Sequence, residues 1–218
     1  CAFSGFRELE RVQIPSTVNA INSNPFTDCP ELTKIEVSKL SQTYTTKDGF
    51  LFNKEMTFLI SCPQKMRENS LVLEDIKEIG DGAFSGCQEL ELVFLCGTID
   101  RIGLSAFENC SNLQYVDLTS ELNTIGSWAF NNCTKLDKIR MGHIESFGEG
   151  AFEGTKLFFP YEAMEVDDPE QLGELARRFS RGEGVPMNKP RAEDLWRRVL
   201  AKLPEDAVSD FIYRNGRD

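Results

Sequence analysis

Histidine-based catalysis would have to use His143, because the chain has one histidine. It stands in Gly142-His143-Ile144, where a β-prone stretch ends, and reads as a solvent-facing loop residue rather than a general base. Seven cysteines come next. An odd number leaves at least one unpaired within the chain. Cys87, Cys110 and Cys133 follow one another at 23 residues, with no Cys-x-x-Cys and no histidine beside them, which is not the spacing of a metal site. If that interval is one rung of a parallel stack, neighbouring thiols lie roughly 5 Å apart. That separation just permits a disulfide, but Cβ vectors in a column run parallel rather than facing. Buried free thiols are expected there, while Cys62 and Cys96 sit off the ladder and could be exposed. Asn109-Cys110-Ser111 and Asn132-Cys133-Thr134 match glycosylation sequons, yet the same strings arise wherever asparagine precedes the recurring cysteine. Gly182-Glu183-Gly184 lacks the lysine and the preceding strand of a phosphate loop. The 35 carboxylates include no pair set apart by an apolar environment and read as a solvated acidic face. The expectation is a protein without catalytic residues, bound metal or cofactor.

The charge balance narrows the partners. A formal net charge of −11 opposes nucleic acid, which needs a basic footprint, and opposes an anionic membrane surface. No run of 18 apolar residues exists, so no membrane insertion is expected. The chain opens at Cys1-Ala2-Phe3, inside a sequence unit, and shows no signal peptide. It is therefore expected to be a piece of something longer, with any targeting segment outside it.

The elements that would hold these residues follow from self-similarity. Phe84, Phe107 and Phe130 are each 23 residues apart, Phe152 follows at 22, and Phe3 and Phe26 again differ by 23. Three residues beyond the phenylalanine stand Cys29, Cys87, Cys110 and Cys133. Three further on stand Leu9, Leu32, Leu90, Leu113 and Leu136. An aliphatic pair spaced by two comes next: Val12/Ile14, Ile35/Val37, Val93/Leu95, Val116/Leu118 and Ile139/Met141. Ile21, Ile79, Ile102 and Ile125 close their units. The period of two places each aliphatic pair on one face of a short strand. One such unit cannot bury its apolar face alone, but stacked units bury a continuous core in columns. The interval from Phe26 to Phe84 is 58 residues, twelve more than the 46 of two units. It contains Asp48-Gly49 and Asn53-Lys54-Glu55 between β-prone runs, which predicts an inserted hairpin over about 44–63. The chain then returns at Ser70-Leu71-Val72-Leu73 to a repeat strand.

The string Ala-Phe-x-x-Cys-x-x-Leu-x-x-Ile-x-Leu at 23 residues resembles the BspA-type leucine-rich repeat, over about residues 1 to 159. The segment Asp48-Gly49-Phe50-Leu51-Phe52-Asn53 resembles that family's aspartate-glycine element. Pro25 stands where the pattern has alanine, and Phe6 and Thr155 stand where it has cysteine. The resemblance implies an α/β repeat solenoid, with short parallel strands stacked on one face. It further implies a surface or secreted adhesion module that binds proteins or host surfaces, but not which ligand.

The repeat fails after Leu157, which suggests a solenoid over 1–160 and a helical tail over 161–218. Asp167-Asp168-Pro169-Glu170 carries an acidic cap, a proline and a glutamate at a helix start. Leu172, Leu175, Ala176 and Phe179 follow at helical spacing, and Gly182 and Gly184 stop that helix. Asn188 can cap a second helix with Pro190 in its first turn and Ala192, Leu195, Trp196, Val199 and Leu200 on its apolar face. This pair resembles one Sel-like repeat, a relative of the tetratricopeptide unit, although the expected tyrosine of its first helix is absent. A short third helix could run from Asp206 toward Asp218. The helical pair is expected to cap the solenoid or to begin a further array.

The strand positions between the buried aliphatics are where a partner would bind. They are Arg11 and Gln13, Lys34 and Glu36, Ser70 and Val72, Leu92 and Phe94, Tyr115 and Asp117, Lys138 and Arg140. The candidate partner-binding set is Val72, Leu92, Phe94, Tyr115, Asp117, Lys138 and Arg140: an apolar centre with a charged rim. The alternative is that Leu92 and Phe94 are covered by the hairpin or by the tail. Two functions remain open at this stage, an extracellular adhesion module and an intracellular scaffold. The odd cysteine count, the free thiols and the Sel-like tail favour the second.

Overall fold

The computed structural model describes residues 2–97, 99–118, 122–140, 144, 146–157, 169, 172–173, 176–177 and 189–204. His143, Met141 and the segment from Phe179 through Asn188 lie outside the described residues, as does the span from Asp206 to Asp218. The chain divides into two compact units, Cys1–Leu157 and Phe158–Asp218.

The first unit is a stack of strands. In chain order they are β1 (Arg11–Ile14), β2 (Lys34–Val37), β3 (Tyr44–Lys47), β4 (Phe50–Asn53), β5 (Phe58–Ser61), β6 (Ser70–Glu74), β7 (Glu78–Ile79), β8 (Leu92–Cys96), β9 (Arg101–Ile102), β10 (Tyr115–Asp117), β11 (Thr124–Ile125), β12 (Lys138–Arg140) and β13 (Ser146–Phe147). Each regular unit supplies one longer and one two-residue strand. The longer strands form a parallel sheet in the order β12-β10-β8-β6, and the short ones form a second, ending β13-β11-β9-β7. The solenoid thus has two walls, where the sequence suggested one.

The core lies between the walls and consists of the expected columns. Phe84, Phe107 and Phe130 are fully buried, and their rings stack at 4.8 and 5.0 Å, with Phe152 next at 5.2 Å. That interval is close to the strand spacing of a sheet, about 4.7–4.9 Å, so each ring rides on its own rung. Leu90, Leu113 and Leu136, then Ile79, Ile102 and Ile125, form further buried columns. A glycine follows each of these isoleucines for a steric reason. A Cβ on Gly126 would stand 2.6 Å from Gly103 C and Leu104 N, and one on Gly103 2.6 Å from Asp81 N. The rungs approach too closely there for any side chain.

The cysteine columns need one correction. Cys87, Cys110 and Cys133 are buried and free, as expected, and Cys96 is exposed and free. Cys62 is buried too, at 1% exposure, although it lies off the sequence ladder. Its N–H donates to Ala83 O at 2.8 Å, as Phe84 N–H does to Ala106 O at 2.7 Å, so Cys62 fills the phenylalanine position of its rung. The ring that Cys62 lacks is replaced from the insertion by Phe50, which meets Phe84 edge-on at 6.2 Å.

The insertion is larger than a hairpin. Strands β3 and β4 pair antiparallel through Asp48-Gly49, with φ of 55° and 85°. Two central residues at positive φ are the requirement of a type I′ turn, which Asp-Gly satisfies. Strand β4 then pairs antiparallel with β5, and β5 pairs parallel with β7. The inserted segment therefore extends the second wall as three strands. At its second turn Asn53 Oδ1 accepts from Thr57 N and Phe58 N, both at 2.9 Å.

In the second unit, helix α1 (Lys189–Lys202) presents Ala192, Leu195 and Val199 to Leu172 and Ala176, with Trp196 and Leu203 packed against the cluster. Residues 172–173 and 176–177 are helical.

Candidate functional site

Parallel register places the seven candidate residues on one face. Ser70, Leu92, Tyr115 and Lys138 are partners in one row across β6, β8, β10 and β12. Val72, Phe94, Asp117 and Arg140 form the next. The intervening Leu71, Leu73, Val93, Val116 and Ile139 point into the core. Alternation along each strand produces this division, since successive side chains leave a strand on opposite faces.

The centre of the face is aromatic and half-buried. The rings of Phe94 and Tyr115 are 5.6 Å apart, tilted by 55°. The Tyr115 hydroxyl donates to Asp117 Oδ2 at 3.3 Å, and Arg140 reaches the same oxygen at 3.4 Å. Burial raises the Tyr115 phenol above its ordinary pKa, and the Asp117 charge adds to the shift. Tyr115 thus remains a neutral donor across physiological pH. Val72 is 57% exposed at the edge of the sheet. This is amphipathic contact area with a polar handle, the composition that recognition surfaces favour.

One boundary of the face differs from expectation. Six rungs were expected to form one sheet, with Lys34 and Glu36 as its rim on the β2 side. Strand β2 pairs with β1 alone, and β6 pairs with β8 alone, so the sheet stops between β2 and β6. Two features separate them. Lys65 N–H bonds Leu32 O at 2.9 Å, and residues 66–69 then lengthen the rung before β6 begins. The insertion tip also reaches in, with Gly49 O accepting from Ile35 N at 3.4 Å. The result is a cleft of about 1210 Å³, with Val72 on its lip. The sequence carried a signal for it in the excess length between Phe26 and Phe84. Which wall would open was not readable from that length.

Asn109 and Asn132 explain the sequon-like strings. They hold φ of 60° and 58°, a region that asparagine and glycine tolerate, and Asn132 Nδ2 donates to Asn109 Oδ1 at 3.1 Å. The backbone needs such a residue before the cysteine. Among the described residues no group of three or more His, Cys, Asp or Glu is placed to hold a metal ion. No helix among them is long and apolar enough to cross a membrane.

Residues 1–70 and 61–160 match the family described as BspA type leucine rich repeat region, in six copies. No curated protein matches the chain. Among solved structures, the pneumococcal vaccine antigen PcpA is similar at 26% identity and a TM-score of 0.65, over 68% of this chain. The chain spans 37% of that antigen's length. A leucine rich cell surface protein of Faecalibacterium prausnitzii is similar at 22% identity, over 62% of this chain and 48% of that one, with a TM-score of 0.37. A leucine-rich repeat protein of Eubacterium ventriosum is similar at 20% identity, over 70% and 60%, with a TM-score of 0.32.

Proposed function

We propose that this chain, which belongs to the BspA-type leucine-rich repeat family, is a binding module that presents the β6-β8-β10-β12 face to a protein or cell-surface partner. Val72, Leu92, Phe94 and Tyr115 form the apolar centre, and Asp117, Lys138 and Arg140 the charged rim. The supporting observation is the half-buried Phe94–Tyr115 pair held in register between an exposed valine and an ion pair. Such aromatic anchors carry most of the energy in protein interfaces. The work of this surface is recognition rather than catalysis. The likeness to a pneumococcal vaccine antigen supports placement at a cell surface, and adhesion is the function that the resemblance to the BspA-type family implies.

The test compares attachment of the wild-type protein and Phe94→Asp to cultured epithelial cells and to immobilised matrix proteins. Loss of tenfold or more in affinity is expected, about 1.4 kcal/mol. Unchanged attachment by a variant with native circular dichroism would remove the face from consideration.

A second reading is an intracellular scaffold. It draws on the six described cysteines, all free, and on the resemblance of residues 167–203 to a Sel-like repeat. Antibody staining of intact against permeabilised cells separates the two: label on intact cells sinks the scaffold, and label only after permeabilisation sinks the adhesion module.

A further inference from the structure

The cleft between β2 and β6 has features that the sheet face does not use. Its volume, about 1210 Å³, exceeds the 300–1,000 Å³ or so typical of small-molecule pockets. Two strands of one broken sheet line it, and each turns an edge toward it on which no other strand pairs. Open edges are ordinarily blunted, because they template pairing with another chain. Here the break is internal: rungs on either side, β1 with β2 and β6 with β8, pair normally. On the β2 side the Ile35 N–H is met by the insertion tip, at Gly49 O.

The side chains around this gap invert the charge of the molecule. The whole chain has 24 basic residues against 35 acidic. The cleft has Arg11, Lys34, Lys39, Lys47, Lys54 and Arg67 against four carboxylates. Lys34 pairs with Glu36 at 2.6 Å, and Lys54 donates to Ser41 O at 2.6 Å. Among the described residues the other four cations, Arg11, Lys39, Lys47 and Arg67, form no ion pair; Lys34 holds the Glu36 carboxyl below the usual carboxylate range, and the more distant Arg11 adds less. Beneath this rim lie Phe50, Leu71 and Leu73, the last two buried.

We propose that the cleft is a second binding site, which takes an extended acidic peptide as an added strand between β2 and β6. Main-chain hydrogen bonds to the open edge of β6, and to the β2 edge beyond the Ile35 N–H that Gly49 O already holds, supply affinity, as in other cases of strand addition. Alternate side chains of the guest divide as in any strand: apolar ones inward onto Phe50, Leu71 and Leu73, acidic ones outward toward Lys39 and Arg67. The inference stands apart from the sheet face, because it uses edges and charges on the other side of β6.

The probe is the capped hexapeptide acetyl-Glu-Val-Glu-Val-Glu-Val-amide, titrated into the isotope-labelled full chain and followed by amide chemical shifts. Saturable shifts in β2 and β6 are expected. A version with lysine for glutamate, and one N-methylated at alternate residues so that it cannot pair, should each bind at least tenfold more weakly. Lys39→Glu combined with Arg67→Glu, both at exposed positions, should weaken the acidic probe at least tenfold and favour the lysine version. No shift at millimolar probe overturns the proposal. So does equal binding of the N-methylated or lysine peptide. Shifts confined to Phe94 and Tyr115 overturn it as well, while leaving the sheet face as the binding surface.

Discussion

Five of the six described cysteines are buried and serve as small core residues rather than as reactive groups. The thiols of Cys110 and Cys133 contact Phe84 O at 3.0 Å and Phe107 O at 3.1 Å, each in the preceding rung. Cys87 is pushed well above its ordinary pKa of 9.0, first by its hydrogen bond with Cys62 and then by burial. Cys133 is pushed up by burial first and by Cys110 second. At pH 8, of the six described cysteines, Cys96 alone should react with a thiol reagent in the native protein, as mapped by mass spectrometry. Fast labelling of Cys62 would contradict its burial. The same shifts fix a pH trend. A raised folded-state pKa means that the native state holds its proton longer than the unfolded chain does. The stability these groups contribute is complete below pH 9.0 and falls as pH rises beyond it, toward the raised folded values. Denaturation midpoints should therefore drop from pH 8 to pH 10, and a flat profile would contradict the direction.

At the scale of the strands, the backbone contact at the glycine column limits what the rungs tolerate. Gly126→Ala places a methyl 2.6 Å from the backbone of the preceding rung. The atoms it meets are all backbone rather than the end of a flexible side chain, which leaves little room to relax, and overpacking in such settings costs about 1–3 kcal/mol or more. A loss of about 3 kcal/mol is expected from chemical denaturation of Gly126→Ala, and a change under 0.5 kcal/mol would show that the rungs can separate. The turns are more permissive where the sequence already supplies the right residue. Gly86, Asn109 and Asn132 all hold positive φ at one position of the repeat. The column of rings depends on two sources, four phenylalanines from regular units and Phe50 from the insertion.

A solenoid couples each rung mainly to its neighbours, so a broken sheet divides the first unit's stability. The first two rungs join the rest through the insertion and through Asn24, which is 2% exposed. Asn24 Nδ2 donates to Gly82 O at 2.7 Å, and its Oδ1 accepts from Ser61 Oγ at 2.7 Å and Phe26 N at 2.9 Å. One amide thus links three segments across the insertion. Asn24→Ala leaves buried polar groups without partners, at about 1–3 kcal/mol. Amide hydrogen exchange should then quicken about tenfold or more in β1 and β2, and by less than about twofold in β10 and β12. Uniform quickening would mean that the rungs unfold as a single unit despite the break.

The period of 23, the apolar columns and the outward residues of each strand were legible in the sequence. They depend on local alternation and on a unit too small to bury its own apolar face, and both are properties of residue order. The turn at Asp48-Gly49 was legible for a similar reason, because positive φ at two successive positions admits few residues. Three features depended on contacts between segments distant in sequence. The two-residue strands of the second wall are too short to show a pattern, and backbone pairing with neighbouring rungs defines them. Cys62 enters the core because the insertion, rather than the repeat, sets its position. The gap between β2 and β6 arises because residues 66–69 and the Gly49 tip compete for the space where two strands would pair. Residue order fixed which side chains face outward, whereas packing across the insertion decided where their sheet ends.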